Sequence, residues 1–261
     1  MNGERRIGRL EPIALWGVMS RDIAVFSKLW PSISFSAVVE PTMYLLAFGF
    51  GFGALVSQVA GYDYIDFVGT GTVATAVLFG SAFSAMFGTW VKRQFQHTYD
   101  ALLATPVDVE EIVTAEVLWL GMRAAVFGMA PLVVAVAFGL RPGPGVVLVP
   151  AIGLLTGLGF ASLGYLFAAF ATSMEIFNYI ISAVLTPLFL VAGTFFPISE
   201  LPRGVQIAAN ANPLYHCVEL VRHAVFDLDP VADLAHAAAL IAFALVVWRL
   251  AIWRTRIRLI D

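Results

Sequence analysis

The sequence predicts an all-α membrane protein with six transmembrane helices, an N-terminal amphipathic helix at the membrane interface and a re-entrant helical hairpin before the last span. Hydrophobic residues make up 60% of the 261 positions and charged residues only 13%, whereas soluble domains average about 45–50% and about 25%. The apolar residues form long uncharged runs of roughly the 20 residues that cross a bilayer. These runs do not alternate with polar residues, which favours helices over a β-barrel.

The gaps between charged residues set the predicted boundaries. An interface helix covers residues 10–30, and the spans cover residues 33–58, 66–91, 112–139, 146–172, 175–195 and 231–253. The third span carries two intramembrane charges, Glu116 and Arg123, which we expect to face the interior of the bundle or a polar cavity. The alternative is that Glu116 lies at the cytoplasmic end of the span and Arg123 pairs locally. No linker or repeat of solenoid length interrupts the chain, so residues 1–261 are read as one transmembrane domain.

The distribution of basic residues predicts the orientation. With the N-terminus inside, the inner segments hold eleven Lys and Arg residues and the outer segments three, so both termini are expected in the cytoplasm. Residues 196–228 then lie outside. They are too polar and too rich in proline to span, and they predict the re-entrant hairpin, with Pro213 beginning a helix that ends near Phe226.

Residues 10–30 have one apolar and one basic helical face. Arg21 and Lys28 lie opposite the apolar positions, which recur every three or four residues. These positions are Trp16, Met19, Ile23, Phe26 and Trp30. The pattern favours a helix in the membrane interface; an amphipathic helix packed on another protein is the alternative.

The residues carry no catalytic signature. The only lysines, Lys28 and Lys92, are not followed by Ser or Thr, which excludes the P-loop pattern. His216, Glu219 and His223 share one helical face, which indicates a polar outer surface or, as the alternative, a metal site. We expect no metal and no cofactor in this chain, and no nucleic-acid partner, because no basic run is long enough to track phosphates.

A polar segment, "WVKRQFQHTYDALLATPVDVEEI", separates the second and third predicted spans. Tyr99, Leu102 and Leu103 recur at helical spacing, and Pro106 ends that helix. Asp108 then caps the next helix, with Glu111 at the capping-box position. A plain solvated loop is the alternative, although such a loop needs no tyrosine–leucine face.

Two longer stretches carry a family resemblance: "YDALLATPVDVEEIVTAEVLW" and "LTPLFLVAGTFFPISELPRGVQIAANANPLYHCVELVR". Together with the order of the spans, they resemble the permease subunits of ABC-2 type exporters. The NodJ-like branch, associated with lipo-oligosaccharide and drug export, is the most similar. The resemblance covers nearly the whole chain.

The resemblance implies a permease in the bacterial cytoplasmic membrane, powered by ATP and Mg on a separate ATPase. Two ATPase subunits would pair with two permease copies, and residues 94–106 would form the coupling helix. Its expected contact residues are His97, Tyr99, Asp100, Leu102, Leu103 and Pro106. Substrate would pass between the copies along Tyr44, Phe48, Phe83, Phe87, Phe189, Phe195 and Phe196. An outer gate would include Pro197, Pro202, Pro213, His216, Glu219 and Arg222.

The predicted function is therefore outward transport of an amphipathic substrate, such as a lipo-oligosaccharide, glycolipid or lipid-linked saccharide. Multidrug or antibiotic efflux is the alternative within the same family. Two alternatives come from other classes: a lipid-modifying enzyme using His216, Glu219 and His223, and a passive channel. The uncharged spans argue against a wide polar pore.

Overall fold

The computed structural model of the chain describes residues 10–53, 55, 56 and 58–260. Arg5, Arg6 and Arg9, which contribute to the predicted charge bias, lie outside the described residues. The α-helices are α1 (Pro12–Gly53), α2 (Tyr64–Gln94), α3 (Thr98–Leu103), α4 (Val109–Phe127), α5 (Ala130–Ala137), α6 (Val149–Phe170), α7 (Glu175–Ile180), α8 (Thr186–Leu190), α9 (Arg203–Asn210), α10 (Pro213–Val225) and α11 (Pro230–Ile260).

The all-α class is confirmed. Within the described part of the chain, four helical segments are long and apolar enough to cross a membrane. They coincide with the predicted spans 66–91, 112–139, 146–172 and 231–253. These segments are Tyr64–Gln94, Val109–Ala137, Pro144–Phe170 and Pro230–Ile260. The second combines α4 and α5, and the third adds the 3-10 turn Pro144–Leu148 to α6.

The N-terminal region differs from the prediction, because the interface helix and the first span form one continuous helix. The 42 residues of α1 correspond to about 63 Å at 1.5 Å per residue. Pro31 lies between the predicted end of the interface helix at residue 30 and the predicted start of the first span at residue 33. The helix continues through it, as membrane helices often do when neighbouring groups satisfy the freed backbone. The predicted apolar face is divided: Trp16 and Trp30 are exposed, whereas Phe26 packs on Trp119.

A short β-hairpin replaces the end of the predicted first span. Its strands, Gln58–Val59 and Tyr62–Asp63, pair antiparallel. Ala60 and Gly61 form the loop with φ of 52° and 86°, the left-handed pair that two-residue hairpins favour. The apolar part of α1 therefore ends at Gly53.

The fifth predicted span is also shorter than expected. Helices α7 and α8, with a π-helical turn at Ile181–Leu185 between them, form a mostly apolar segment of 16 residues, Glu175–Leu190, instead of residues 175–195. Pro187 lies immediately after this turn. It lacks the N–H that would bond the carbonyl four residues earlier, which is a common cause of such irregularity.

Helix α2 lies at the centre of the bundle, where it contacts α1, α4, α5, α6 and α10. Its contact with α6 is a backbone approach at Gly164. A Cβ atom there would lie 2.5 Å from the Ala82 carbonyl oxygen and 2.7 Å from the Ala85 Cβ. Glycine is therefore required where these two spans cross.

Residues 196–228 form a 3-10 turn and two helices, α9 and α10. The predicted helix from Pro213 to near Phe226 is confirmed as α10. Pro213 occupies its first turn and the Asn212 side chain accepts a hydrogen bond from Leu214 N at 2.9 Å. Helix α10 packs on α2, α6 and α11.

Candidate functional site

Six side chains form a buried ionic cluster at the end of α2 that leads into α3. Its centre is Glu116 on α4, which is 1% exposed. One carboxylate oxygen lies 2.6 Å from the Arg21 guanidinium and 2.9 Å from the Lys92 ammonium. The other accepts hydrogen bonds from Tyr99 at 3.0 Å and from Tyr165. The cluster comprises Arg21, Asp22, Lys92, Tyr99, Glu116 and Tyr165.

Asp22 completes the balance of charge in the ionic cluster. Its carboxylate lies 2.7 Å from Arg21 and 3.1 Å from Lys92, so two cations face two carboxylates. Every oxygen of Glu116 has partners, which is the condition under which a buried ion pair is tolerated. Removing one member leaves an uncompensated charge, so the cluster fixes the relative positions of α1, α2, α3, α4 and α6.

The structure places the predicted coupling residues in two environments, and the prediction of Tyr99 as a docking contact is wrong. Tyr99 is 2% exposed and points into the ionic cluster, because its hydroxyl finds donor and acceptor partners there. Leu102 and Leu103 are half-buried against the same core. Only His97, Asp100 and Pro106 of the predicted set are exposed.

An exposed aromatic residue was missed in this segment. Phe95 is 69% exposed at the end of α2, two residues before His97. The His97 ring lies 3.1 Å from the Asp100 carboxylate on the outer surface of α3. A single exposed apolar side chain is ordinary by itself, but Phe95 directly adjoins the segment that the family resemblance assigns to coupling. We call Phe95, His97, Asp100 and Pro106 the α3 surface.

Two capping arrangements hold this segment to the bundle. The predicted capping box is confirmed: Asp108 accepts from Val109 N at 2.8 Å and Glu111 accepts from Asp108 N at 2.9 Å. At the other end of the segment, Arg93 donates to the carbonyls of Ala168 and Ala171 at 2.9 and 3.1 Å. These carbonyls end α6, where a cation is favourable.

Six of the seven predicted path residues belong to one continuous aromatic row. It joins α1, α2, α7, α8 and the turn after α8, with neighbouring ring centroids 4.4 to 6.5 Å apart. In order along the row, its members are Tyr44, Phe48, Phe195, Phe189, Phe79, Phe83, Phe87, Phe177 and Trp90. Phe196 is exposed and outside it. Phe79, Phe177 and Trp90 were not predicted.

The two predicted intramembrane charges do not pair with each other. Glu116 belongs to the ionic cluster, whereas Arg123 donates a hydrogen bond to the Ser84 hydroxyl on α2. Seven residues separate them on α4, about 10 Å along the helix axis. Ser84 could not be recognised from the sequence, because an isolated serine in an apolar helix usually bonds only its own backbone.

The residues predicted for the outer gate lie in the segment that follows α8. Pro197 and Pro202 directly precede the 3-10 turn and α9, and Pro213 begins α10. Buried Arg222 donates to the Glu219 carboxylate at 2.9 Å and to the Gly193 carbonyl at 3.1 Å. It therefore fastens α10 to the turn that carries Phe195.

The three outer histidines bridge α10 and α11. His216 Nδ1 lies 2.7 Å from His236 Nδ1, and His223 Nδ1 lies 2.7 Å from the Asp233 carboxylate. Burial lowers the pKa of His216, so its ring is neutral at neutral pH. Among the residues that the structure describes, no group of three or more His, Cys, Asp or Glu is placed to hold a metal ion.

Comparison with known proteins agrees with this geometry. The model of the "ABC-2 type transporter" family matches residues 13–226. The chain is 32% identical over 232 residues to nodulation protein J of Sinorhizobium fredii strain NGR234, covering 89% of this chain and 87% of that protein. It is likewise 32% identical to nodulation protein J of Rhizobium leguminosarum bv. trifolii, covering 90% and 89%.

A more distant relative carries a transport name. The inner membrane transport permease YadH of Escherichia coli K12 is 24% identical over 231 residues, covering 88% of this chain and 90% of that protein. The family model spans most of the chain, and the relatives align over nearly their whole lengths. The chain is therefore a multi-pass membrane protein of the ABC-2 type transporter family, related to the nodulation J proteins.

Proposed function

We propose that this chain is the permease subunit of an ATP-driven exporter, with no catalytic residues and no cofactor of its own. ABC-2 permeases work with an ATPase subunit, which here would be a cytoplasmic partner carrying ATP and Mg. The observation that carries the proposal is the attachment of α3 to the ionic cluster. The α3 surface faces outward, while Tyr99 of the same helix is bonded to Glu116.

This arrangement supports a route for coupling. A partner that moves the α3 surface also moves Tyr99, because Asp100 of that surface neighbours Tyr99 on the same six-residue helix. The other three residues of the surface closely flank this helix. Glu116 and Tyr165 then carry the displacement to α4 and α6, and Arg21 carries it to α1. A buried cluster transmits displacement well because its members cannot separate without leaving an unpaired charge.

In the proposed topology, the chain crosses a bacterial cytoplasmic membrane six times with both termini inside. The four long spans supply four crossings, and α1 and the α7–α8 segment supply the others. The positive-inside bias supports the orientation, and the printed name of the Escherichia coli relative supports the membrane. Residues 196–228 would form the re-entrant hairpin on the outer side.

The aromatic row supports the proposed path. Its phenylalanine rings on α2 and α8 are half-buried in a single chain, so one side remains open. We propose that a second copy of this chain covers that side, that two ATPase subunits bind the pair, and that substrate moves outward between the copies. A lipo-oligosaccharide, glycolipid or lipid-linked saccharide fits an apolar aromatic wall. Hydrophobic drugs fit the same wall, which keeps multidrug efflux as the second candidate.

The lipid-enzyme alternative is not supported by the outer face. Glu219 pairs with Arg222, His216 bonds the Asn210 carbonyl and His236, and His223 bonds Asp233. These side chains already join α10 to α11. The relatives are named as nodulation proteins and a transport permease.

The test is purification of the tagged chain from its native membrane in mild detergent, followed by an ATPase assay. We expect a stoichiometric ATPase to co-purify. Phe95→Ala with Pro106→Ala should abolish that association without lowering thermal stability, since both residues are exposed. Phe35→Ala is the matched control, because Phe35 is 70% exposed on α1. A chain that purifies alone, with no nucleotide hydrolysis, would refute the proposal.

A further inference from the structure

Arg123 is a membrane-embedded cation without a carboxylate partner. Its guanidinium donates to the Ser84 hydroxyl, and among the described residues no carboxylate lies within 4.0 Å of it. The nearest acidic side chains of the cluster, Asp22 and Glu116, are already held by Arg21 and Lys92. Counting Arg123, three cations in this region face two carboxylates, and Arg123 has only the longer-range attraction of Asp22.

A cation in a span without a contacting carboxylate requires a physical reason. Insertion scales place the cost of a central arginine at about 2.5–3.5 kcal/mol, and such residues mark substrate or ion pathways. An arginine that served only to hold α4 on α2 would be stabilised by a carboxylate, as Lys92 is. A neutral hydroxyl satisfies one N–H of the five that a guanidinium carries, which leaves donors for an anion.

The surroundings of Ser84 provide room and an apolar wall. Helical spacing puts Phe79, Phe83 and Phe87 on one stripe of α2. Gly80, Ser84 and Gly88 lie on a neighbouring stripe, about 60–100° around the helix. A Cβ atom added at Gly80 or Gly88 would meet no other atom within 4 Å. Open space therefore flanks Ser84 on both sides, directly beside the aromatic row.

We infer that Arg123 and Ser84 bind the anionic head group of an amphiphilic substrate, a phosphate, sulfate or carboxylate, while its apolar chain lies along the aromatic row. The guanidinium fork suits the paired oxygens of such groups. The Ser84 oxygen accepts from Arg123, so its own hydrogen is available to a second oxygen of the ligand. The inference rests on the proposed function and narrows its substrate to anionic amphiphiles.

The experiment uses the permease with its ATPase in phosphatidylcholine nanodiscs. ATP hydrolysis is measured against dodecyl phosphate, dodecyl maltoside and inorganic phosphate, with both amphiphiles kept below their micellar concentrations. We expect dodecyl phosphate to reach half-maximal stimulation at a concentration at least about tenfold lower than dodecyl maltoside does. A tenfold difference in affinity corresponds to about 1.4 kcal/mol, which one charge-assisted hydrogen bond can supply. Inorganic phosphate should have no effect.

The variant Arg123→Met should remove that preference while the response to dodecyl maltoside remains. An unbranched apolar side chain replaces a partly buried charge there, so the fold should be retained. Should Arg123→Met fail to accumulate, Arg123→Lys keeps the charge without the fork and should reduce the preference several-fold. Arg249→Gln is the control, because Arg249 is exposed on α11 and its loss changes the net charge equally.

The outcomes separate the two proposals. An unchanged preference in Arg123→Met, or equal responses of the native complex to both amphiphiles, overturns the inference and leaves the exporter function standing. Stimulation by inorganic phosphate equal to that by dodecyl phosphate also overturns it, because the site would then bind free anions. A permease with no associated ATPase contradicts the proposed function itself.

Discussion

The Tyr99 hydroxyl lies 3.0 Å from a carboxylate oxygen of Glu116, so the short helix α3 is fixed to the membrane-spanning helix α4. Burial, followed by the Glu116 carboxylate, raises the pKa of Tyr99 well above its usual range. The hydroxyl therefore stays protonated and donates at any physiological pH. A tyrosine that sequence spacing assigns to a docking surface instead holds that surface in place.

The change Tyr99→Phe tests this role. It removes one hydrogen bond to a charged acceptor, which is worth about 1.5–3 kcal/mol, but keeps the ring that packs in the core. We expect the ATPase to bind normally, because the α3 surface is intact, while ATP hydrolysis loses its coupling to transport. Both quantities are measured in proteoliposomes. Loss of ATPase binding in Tyr99→Phe, with the protein folded, would contradict the assignment.

Loss of Glu116 should destabilise the end of the bundle that contains the ionic cluster. In Glu116→Ala, Arg21 and Lys92 lose their shared acceptor, and breaking a buried pair in this way costs about 3–5 kcal/mol. The midpoint temperature of thermal unfolding, measured in detergent, should fall markedly. Glu175→Ala is the control, since Glu175 is exposed and should leave the midpoint unchanged. Equal midpoints for the two variants would show that the ionic cluster contributes nothing to stability.

The crossing of α2 and α6 predicts a strong dependence on glycine. Gly164→Ala places a methyl group 2.5 Å from the Ala82 carbonyl oxygen, so the two spans must separate and lose packing on either side. Such overpacking costs about 1–3 kcal/mol. Gly17→Ala is the matched change, because a Cβ there meets nothing within 4 Å and alanine favours a helix by about 0.5–1 kcal/mol. In chemical denaturation, the free energy of unfolding should fall for Gly164→Ala and rise slightly for Gly17→Ala.

The outer histidines predict a loss of stability in acid. Burial lowers the pKa of His216 below its ordinary value, so the unfolded chain takes up a proton first as pH falls. The stabilising contribution is complete above the unfolded pKa of about 6.5 and is lost as the pH falls toward the folded pKa. The charged and titratable groups around it are Tyr215, Glu219, Arg222, His223, Asp233 and His236.

The measurement is the midpoint temperature of thermal unfolding, determined at several pH values from 7.5 to 5.5, for the native chain and for His216→Asn. Asparagine keeps a hydrogen-bonding side chain but does not titrate. We expect the native midpoint to fall more steeply with acidification than that of the variant. Parallel curves would assign the acid sensitivity to other groups.

Local signals predicted most of the elements that depend on neighbouring residues. The capping box of Asp108 and Glu111, and the start of α10 at Pro213, each follow from side chains next to the backbone groups that they satisfy. The lengths of the four long spans follow from long apolar runs that carry few or no charges. The predicted break between the interface helix and the first span was wrong, because the cost of a proline such as Pro31 depends on groups around the helix, which the local sequence does not specify.

The ionic cluster could not be predicted, because its partners are distant in sequence. Glu116 and Arg21 are 95 residues apart and Arg123 and Ser84 are 39 apart, and each acidic residue had several possible cations. The aromatic row was predicted in part because phenylalanines repeat every four residues on α2. Phe95 carried a signal that was missed: a phenylalanine among glutamines, outside any apolar run.

The length of α1 allows it to connect the ionic cluster rigidly to the aromatic row. Arg21, near one end, is held in the ionic cluster, and Phe48, near the other, belongs to the aromatic row. The two residues are 27 positions apart on α1, which corresponds to about 40 Å. In a rigid helix, a tilt of about 5° imposed at Arg21 displaces Phe48 by about 3.5 Å over that distance. This displacement is close to the thickness of one aromatic ring, so a small rotation of α1 at Arg21 is enough to separate Phe48 from the rings that it contacts.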